Sequence, residues 1–230
     1  MQEDKSRAGW SDSRQATFHE RLRIGFDNLR EKWKTADANF SPDALTICGH
    51  PVMESWEDNY MKELAQIASS RGGKVLEVGF GLGISASYLQ KQNISQHFII
   101  EANEEVIAKA EQFARAARVP VKLLPGFWED ITPDLPTAGF SGILFDTYPL
   151  NPDEVHQNHF SFFEEAHRLL RPGGVLTYYS DEISNFSPSH LKMLRDSGFD
   201  SISAKLCLVN PPADCRYWKE KTILAPIIVR

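Results

Sequence analysis

The sequence predicts an α/β fold: a seven-stranded, mostly parallel sheet with helices on both faces and a helical N-terminal extension. Three observations carry this. From Arg71 onward, short apolar runs alternate with helix-capable segments, which implies right-handed crossovers and a largely parallel sheet. The apolar run Lys74-Val-Leu-Glu-Val78 breaks into Gly79, Gly81 and Gly83 and passes straight into a helix-capable segment, so a strand, a tight turn and a helix N-terminus meet at one place. The next run, Gln96-His-Phe-Ile-Ile-Glu101, ends in an acid 22 residues after Gly79. In nucleotide-binding α/β folds an acid at that distance can accept both hydrogen bonds of a ribose diol.

Residues 1–45 read as an N-terminal helical extension and a candidate cofactor lid. Within it, Ala16 to Trp33 carries Phe18, Leu22, Phe26, Leu29 and Trp33 at spacings of three and four, the pattern of one amphipathic helix. Residues 46–230 form the main domain. Pro51 suits a helix start, and a helix from there to about Ser70 would place Met53, Glu57 and Met61 on one face. Glu57 then stands in an apolar stripe facing the core or a ligand. The strands are expected at 74–78, 97–101, 121–124, 142–146, 175–179, 204–209 and 222–229, with helices at 84–92, 104–117, 156–170 and 189–197. Gly79, Glu101, Asp146 and Ser180 all fall at carboxyl ends of strands, where such sheets bind ligands. Pro149 stops the Asp146 strand, so one acid is delivered beside the glycine turn.

Bulk properties suit a soluble enzyme of one generous domain. The chain has 230 residues, 42% of them hydrophobic, enough for a sizeable core. A net charge of −6 argues against a nucleic-acid partner, which would call for clustered Lys and Arg, and is compatible with a cationic substrate. No apolar run approaches the roughly 18 residues of a membrane span, and the polar N-terminus does not resemble a signal peptide, so a cytoplasmic protein without membrane contact is expected. Cys48, Cys207 and Cys215 lack Cys-x-x-Cys spacing, and His50, His156, His159 and His167 lack coherent ligand spacing, so no metal is expected. These histidines read as surface or packing residues. Monomer and homodimer are both compatible with the sequence.

Glu77 stands two residues before Gly79-x-Gly81-x-Gly83. That series lacks the third glycine of a dinucleotide fingerprint and resembles the first motif of class I S-adenosylmethionine-dependent methyltransferases. More particular blocks resemble the guanidinoacetate N-methyltransferase family: Gly49-His-Pro-Val-Met-Glu-Ser-Trp-Glu57, Gly126-Phe-Trp-Glu-Asp130, Gly142-Ile-Leu-Phe-Asp-Thr-Tyr-Pro-Leu150 and Pro211-Pro-Ala-Asp-Cys-Arg-Tyr217. The fungal methyltransferases of the internal arginine nitrogen are similar relatives. The resemblance covers roughly residues 47 to 219 and implies a Rossmann-like class I methyltransferase fold. It implies S-adenosylmethionine contacts, with S-adenosylhomocysteine as product, from Met53, Met61, Phe80, Gly81, Leu82, Gly83, Ile84, Ser85, Glu101, Ala102, Asn103, Trp128 and Glu129. Trp33 matches an N-terminal tryptophan that covers the cofactor, and Gly79 and Asp146 border the same site. It also implies that Glu57 and Asp146 hold a guanidine.

Two carboxylates suit that cation, because a guanidinium presents a rigid fork of donors. The expected activity is therefore methylation of the guanidino group of a small molecule, guanidinoacetate or an arginine- or agmatine-like compound, with Asp146 as proton acceptor and Glu57 as anchor. After strand five the chain departs from the family, with Ser180-Asp-Glu-Ile183 and a shorter insertion. If Asp181 or Glu182 faces the pocket, it would repel a carboxylate and favour an amine-tailed guanidine. An arginine in a protein as acceptor, or nucleoside binding without methyl transfer, are the alternatives.

Overall fold

The computed structural model describes residues 28–230. Of the expected N-terminal helix it contains α1 (Leu29–Trp33); Phe18, Leu22 and Phe26 lie outside the described residues.

The next segment departs from the expected helix at Pro51. Residues 38–54 form a three-stranded antiparallel sheet, β1 (Ala38–Phe40), β2 (Ala44–Ile47) and β3 (His50–Glu54). The expected boundary at 45/46 therefore cuts through β2. Cys48 and Gly49 connect β2 to β3 with φ of 51° and 77°, the mirror-image turn whose twist matches a hairpin. Pro51 sits within β3, and a 3₁₀ turn at Ser55–Glu57 precedes helix α2 (Asp58–Ser69). A capping box makes this turn: the Glu54 carboxylate accepts the Glu57 backbone N–H, and Glu57 Oε1 accepts the Glu54 N–H at 2.8 Å. Met53, Glu57 and Met61 thus belong to a strand, a turn and a helix, not to one helical face.

The main sheet has the expected seven strands: β4 (Lys74–Val78), β5 (Gln96–Glu101), β6 (Val121–Pro125), β7 (Phe140–Phe145), β8 (Leu170–Tyr178), β9 (Ser201–Leu208) and β10 (Thr222–Val229). Their order is β6-β5-β4-β7-β8-β10-β9. The first five strands are parallel, and β10 runs antiparallel to β8 and β9. Every residue of β7 is buried, as a central strand covered on both faces requires. Its side chains alternate between two cores: Leu144 joins α2 residues Tyr60, Leu64 and Ala68, while Ile143 and Phe145 join Phe163, Ala166 and Leu194, the period of two of a pleated strand. The other helices are α3 (Ile84–Leu89), α4 (Glu104–Ala116), α5 (Trp128–Ile131), α6 (Phe163–Leu169) and α7 (Pro188–Asp196). Helix α6 is shorter than the expected 156–170 segment: His156 adopts φ 64°, outside the helical region, and Phe160–Phe162 form a 3₁₀ turn before the helix begins. No helix among the described residues is long and apolar enough to cross a membrane.

From β4 the chain moves outward to β5 and β6, then returns to the other side of β4 at β7. The point of reversal is where such sheets open a crevice, and it brings the ends of β4 and β7 together.

Candidate active site

A cavity of about 950 Å³ lies at this reversal, lined by Val78 and Gly79 after β4, Glu101 after β5 and Asp146 after β7. It sits at the upper end of the roughly 300–1,000 Å³ typical of ligand sites, with room for a nucleoside cofactor and a second small molecule. Gly79 has φ 93°, and a Cβ there would meet the Asp146 carbonyl at 1.9 Å. Only glycine lets the two strand ends approach this closely. Gly81 has φ 54° and lies against Met53, whose Sδ would stand 3.0 Å from a Cβ at that position. Leu82 N–H donates to the same sulfur at 3.4 Å. β3 and the glycine turn therefore form one wall.

Glu101 is aimed by backbone donors. Its Oε2 accepts from Phe80 N–H at 3.0 Å, and its Oε1 from Ala102 and Asn103 N–H at 2.7 and 2.9 Å. Burial raises its pKa, and these N–H groups oppose the rise by favouring the charged form. Glu77, the acid before the glycines, serves otherwise: it is fully buried, with Ser85 Oγ donating to one oxygen and His97 Nε2 at 2.8 Å from the other. A carboxylate only accepts, so Nε2 carries the proton and Nδ1 accepts from Gln90 Nε2 at 3.3 Å. The network pins α3 and β5 to the underside of the turn.

Glu57 and Asp146 line the same cavity. Glu57 is 2% exposed, and its Oε1 accepts from the Tyr217 hydroxyl as well as from Glu54 N–H. Burial, then the Asp146 charge, raises its pKa to about 8, against the lowering effect of Tyr217. Asp146 is partly exposed, to the cavity, and nothing among the described residues donates a hydrogen bond to its carboxylate. Burial first, then the charges of Asp181 and Glu77, raise it to about 7. Two acids that resist ionisation in one pocket suit a cationic ligand.

Of the expected cofactor residues, Trp33, Met53, Gly79, Gly81, Glu101, Ala102, Trp128, Glu129 and Asp146 line the cavity. Met61, Phe80, Leu82, Gly83, Ile84, Ser85 and Asn103 do not. Met61 is in the core beneath α2, Phe80 packs on Phe113 and Ser85 serves Glu77. Asn103 caps α4, accepting from Glu105 and Val106 N–H, and its Nδ2 donates to the Trp33 and Ala36 carbonyls at 2.8 Å each. Trp33, so latched, stacks on Tyr148 with centroids 5.4 Å apart at 12°. Asp181 lines the cavity; Glu182 does not, because its carboxylate accepts from Ser187 N–H at 2.8 Å and pairs with His190 Nδ1 at 3.1 Å.

Two of the histidines read as surface or packing residues also line the cavity. His50 lines the cavity and bonds the Tyr148 hydroxyl at 2.9 Å, and His156 lines it and pairs with Asp181 at 2.9 Å. Tyr148, Tyr179 and Tyr217 also line it without having been singled out. Tyr148 and Tyr217 sit inside the blocks Asp146-Thr-Tyr-Pro149 and Pro211 to Tyr217, and that placement was the available signal.

Comparison with known proteins bears on what this cavity serves. A family model described as guanidinoacetate N-methyltransferase matches residues 22–230. Protein arginine N-methyltransferase 2 of Yarrowia lipolytica is 35% identical over 162 residues, covering 67% of this chain and 33% of that protein. Its counterpart in Aspergillus oryzae is 35% identical over 163 residues, 69% of this chain and 39% of that protein. The chain thus spans between a third and two fifths of the length of these curated relatives. Among solved structures, spermidine synthase from Thermotoga maritima superposes with TM-score 0.58 at 14% identity, over 84% of this chain and 68% of that one. M. jannaschii TYW2 in complex with AdoMet gives 0.55 at 12%, over 85% of each. At such identity the likeness shows the fold alone, the Rossmann-like sheet of the class I methyltransferases. With a family match over nearly the whole chain, on that fold, the chain belongs to the guanidinoacetate N-methyltransferase family.

Proposed function

We propose that the protein is an S-adenosylmethionine-dependent N-methyltransferase acting on the guanidino group of a small molecule, guanidinoacetate or a related arginine- or agmatine-like guanidine. The observation that carries this reading is the pair of acids, buried Glu57 and cavity-facing Asp146, lining one cavity with raised pKa values. A flat cation between them would relieve the cost of burying two like charges, and its fork of N–H donors would satisfy the oxygens that lack partners.

The cavity's other end fits the cofactor. Glu101 would receive the ribose hydroxyls, bare backbone at Gly79 and Gly81 would admit the amino-acid portion, and Met53, Trp33 and Trp128 would supply apolar contact. When bound, S-adenosylmethionine supplies an electrophilic methyl group on a sulfonium.

The chain's own residues must then solve one problem, that a guanidinium is a poor nucleophile. Free deprotonation at pH 7 of a group with pKa about 13 costs roughly 8 kcal/mol. Asp146, unencumbered by donors and poised at about 7, is suited to accept the N–H proton as the nitrogen gains its methyl group, which avoids that cost. Glu57, already held by Tyr217 and Glu54 N–H, anchors the remaining nitrogens. Holding the nitrogen in line at near-attack distance contributes several kcal/mol more.

The name of the curated relatives, protein arginine N-methyltransferase 2, favours a second reading in which the acceptor is an arginine of a protein. Transfer of a labelled methyl group to a panel of small guanidines and an arginine-containing peptide distinguishes the two. We expect label on small guanidines, lost in Asp146→Asn. Label on the peptide alone selects the second reading, and label on no guanidine removes both.

A further inference from the structure

Where β8 leaves the sheet, Tyr179 and Asp181 turn along the cavity. The Tyr179 hydroxyl is buried and has no hydrogen-bond partner among the described residues, although an unpaired buried hydroxyl is costly. Asp181 and His156 both hold left-handed backbone, φ 55° and 64°, and their side chains meet at 2.9 Å. Strained backbone at both ends of one ion pair on a cavity wall is characteristic of side chains held for a purpose.

These groups share a field with the acid pair. The Asp181 charge raises Asp146, and Tyr179 is raised by burial and by the charges of Glu57 and Asp181. Asp181 Oδ1 is engaged by His156, whereas no described residue donates to Oδ2. Of the cavity's other cationic side chains, Arg30 is held by Glu129 at 2.9 Å, Lys219 donates to the Ala213 carbonyl at 2.7 Å and Arg216 is exposed. An unfilled phenol and a free carboxylate oxygen therefore stand together on a wall with acids behind them.

We propose that Tyr179 and Asp181, steadied by His156, form a tail subsite for a primary ammonium group, so that the acceptor is an aminoalkylguanidine and not a guanidino acid. The ammonium donates to Asp181 Oδ2 and to the Tyr179 oxygen, while the guanidinium at the other end of the molecule lies between Glu57 and Asp146. A carboxylate tail would face Asp181 and leave both groups unpaired. The inference rests on the guanidine reading above and narrows it.

Two isosteric probes test it, 4-guanidinobutylamine and 4-guanidinobutanoate, titrated calorimetrically into protein saturated with S-adenosylhomocysteine. We expect the amine to bind at least about tenfold more tightly, Asp181→Asn to erase most of that ratio and Tyr179→Phe to weaken the amine alone. Asn adopts left-handed backbone readily and can still accept from His156, so Asp181→Asn keeps the local fold; should it not fold, the wild-type ratio and Tyr179→Phe decide. Equal or tighter binding of the acid overturns the subsite, as does a ratio unmoved by Asp181→Asn. Methyl transfer followed in the same samples separates the two ideas. Amine preference without transfer contradicts the methyltransferase reading and leaves the subsite, and transfer with no preference contradicts the subsite alone.

Discussion

Asp146 and Glu57 remain protonated at pH values where carboxyl groups in water have long ionised, with pKa values near 7 and 8, and burial is the first cause in both. The sign of the stability effect follows. Because folding raises both pKa values, the pair's contribution to stability is intact below the ordinary carboxylate range and is lost as pH rises through about 7 and then about 8. At about 1.4 kcal/mol per pH unit the full cost is several kcal/mol, but water in the cavity screens the partly exposed Asp146. Asp146→Asn is therefore expected to gain about 1–2 kcal/mol at pH 8, raising Tm by roughly 2–4 °C per kcal/mol, with roughly a third of that gain at pH 5. Thermal melts at both pH values check this. The same variant is expected to lose roughly 10²–10⁴-fold in methyl transfer. Tyr217→Phe removes the hydrogen bond that lowers Glu57, so the pH midpoint of acceptor binding should move to higher pH; a midpoint that stays put would show that the phenol does not tune the acid. At this scale the strand-end acids Glu101 and Asp146 were legible, because an apolar strand followed by an acid announces itself. Glu57 was legible for a different reason than its place: helical spacing put it on one face with Met53 and Met61, whereas a capping box holds it in a 3₁₀ turn between strand and helix.

Elements set these side chains. The start of the glycine turn is held between β5 and Asp146 through backbone, with Gly79 N–H donating to Ile100 O and Asp146 N–H to Val78 O, each at 2.9 Å. Gly79→Ala would drive a methyl group against the Asp146 carbonyl in a backbone region that alanine avoids, so it should displace Asp146 and abolish binding of S-adenosylhomocysteine, as calorimetry would show. Asn103 links two elements, capping α4 while tying down the segment that carries Trp33. Its replacement by alanine removes a cap of about 1 kcal/mol and frees Trp33. Amide exchange should accelerate across residues 33–38 more than in β4 or β7, and uniform acceleration would contradict the latch. The strands β4 to β7 were legible because each is a short apolar run closed by Gly, Pro or an acid, and β8 to β10 because each is an apolar or alternating run. The small sheet of residues 38–54 was not, since its strands are three to five residues long and Pro51 imitates a helix start. Its signal was the Cys48-Gly49 turn. The break at His156 was equally hidden, because a left-handed residue fixed by a distant aspartate leaves no local pattern.

For the whole molecule, a net charge of −6 meets a cavity in which the acids Glu57, Asp146 and Asp181 lie near one another, and a cation is the natural complement. Burying it between Glu57 and Asp146 requires both to ionise, so binding must expel protons over the range in which they would otherwise stay protonated. The fold supplies the meeting point by reversing strand order between β4 and β7, and the N-terminal sheet supplies the wall that carries Met53. The measurement that reaches the central claim most directly is the number of protons released when 4-guanidinobutylamine binds protein saturated with S-adenosylhomocysteine, obtained at pH 7 by calorimetry in buffers of different ionisation enthalpy. The two-carboxylate site predicts release of roughly one to one and a half protons, falling by about a third or more in Asp146→Asn. Binding that releases no proton, or a release unchanged in that variant, would contradict it.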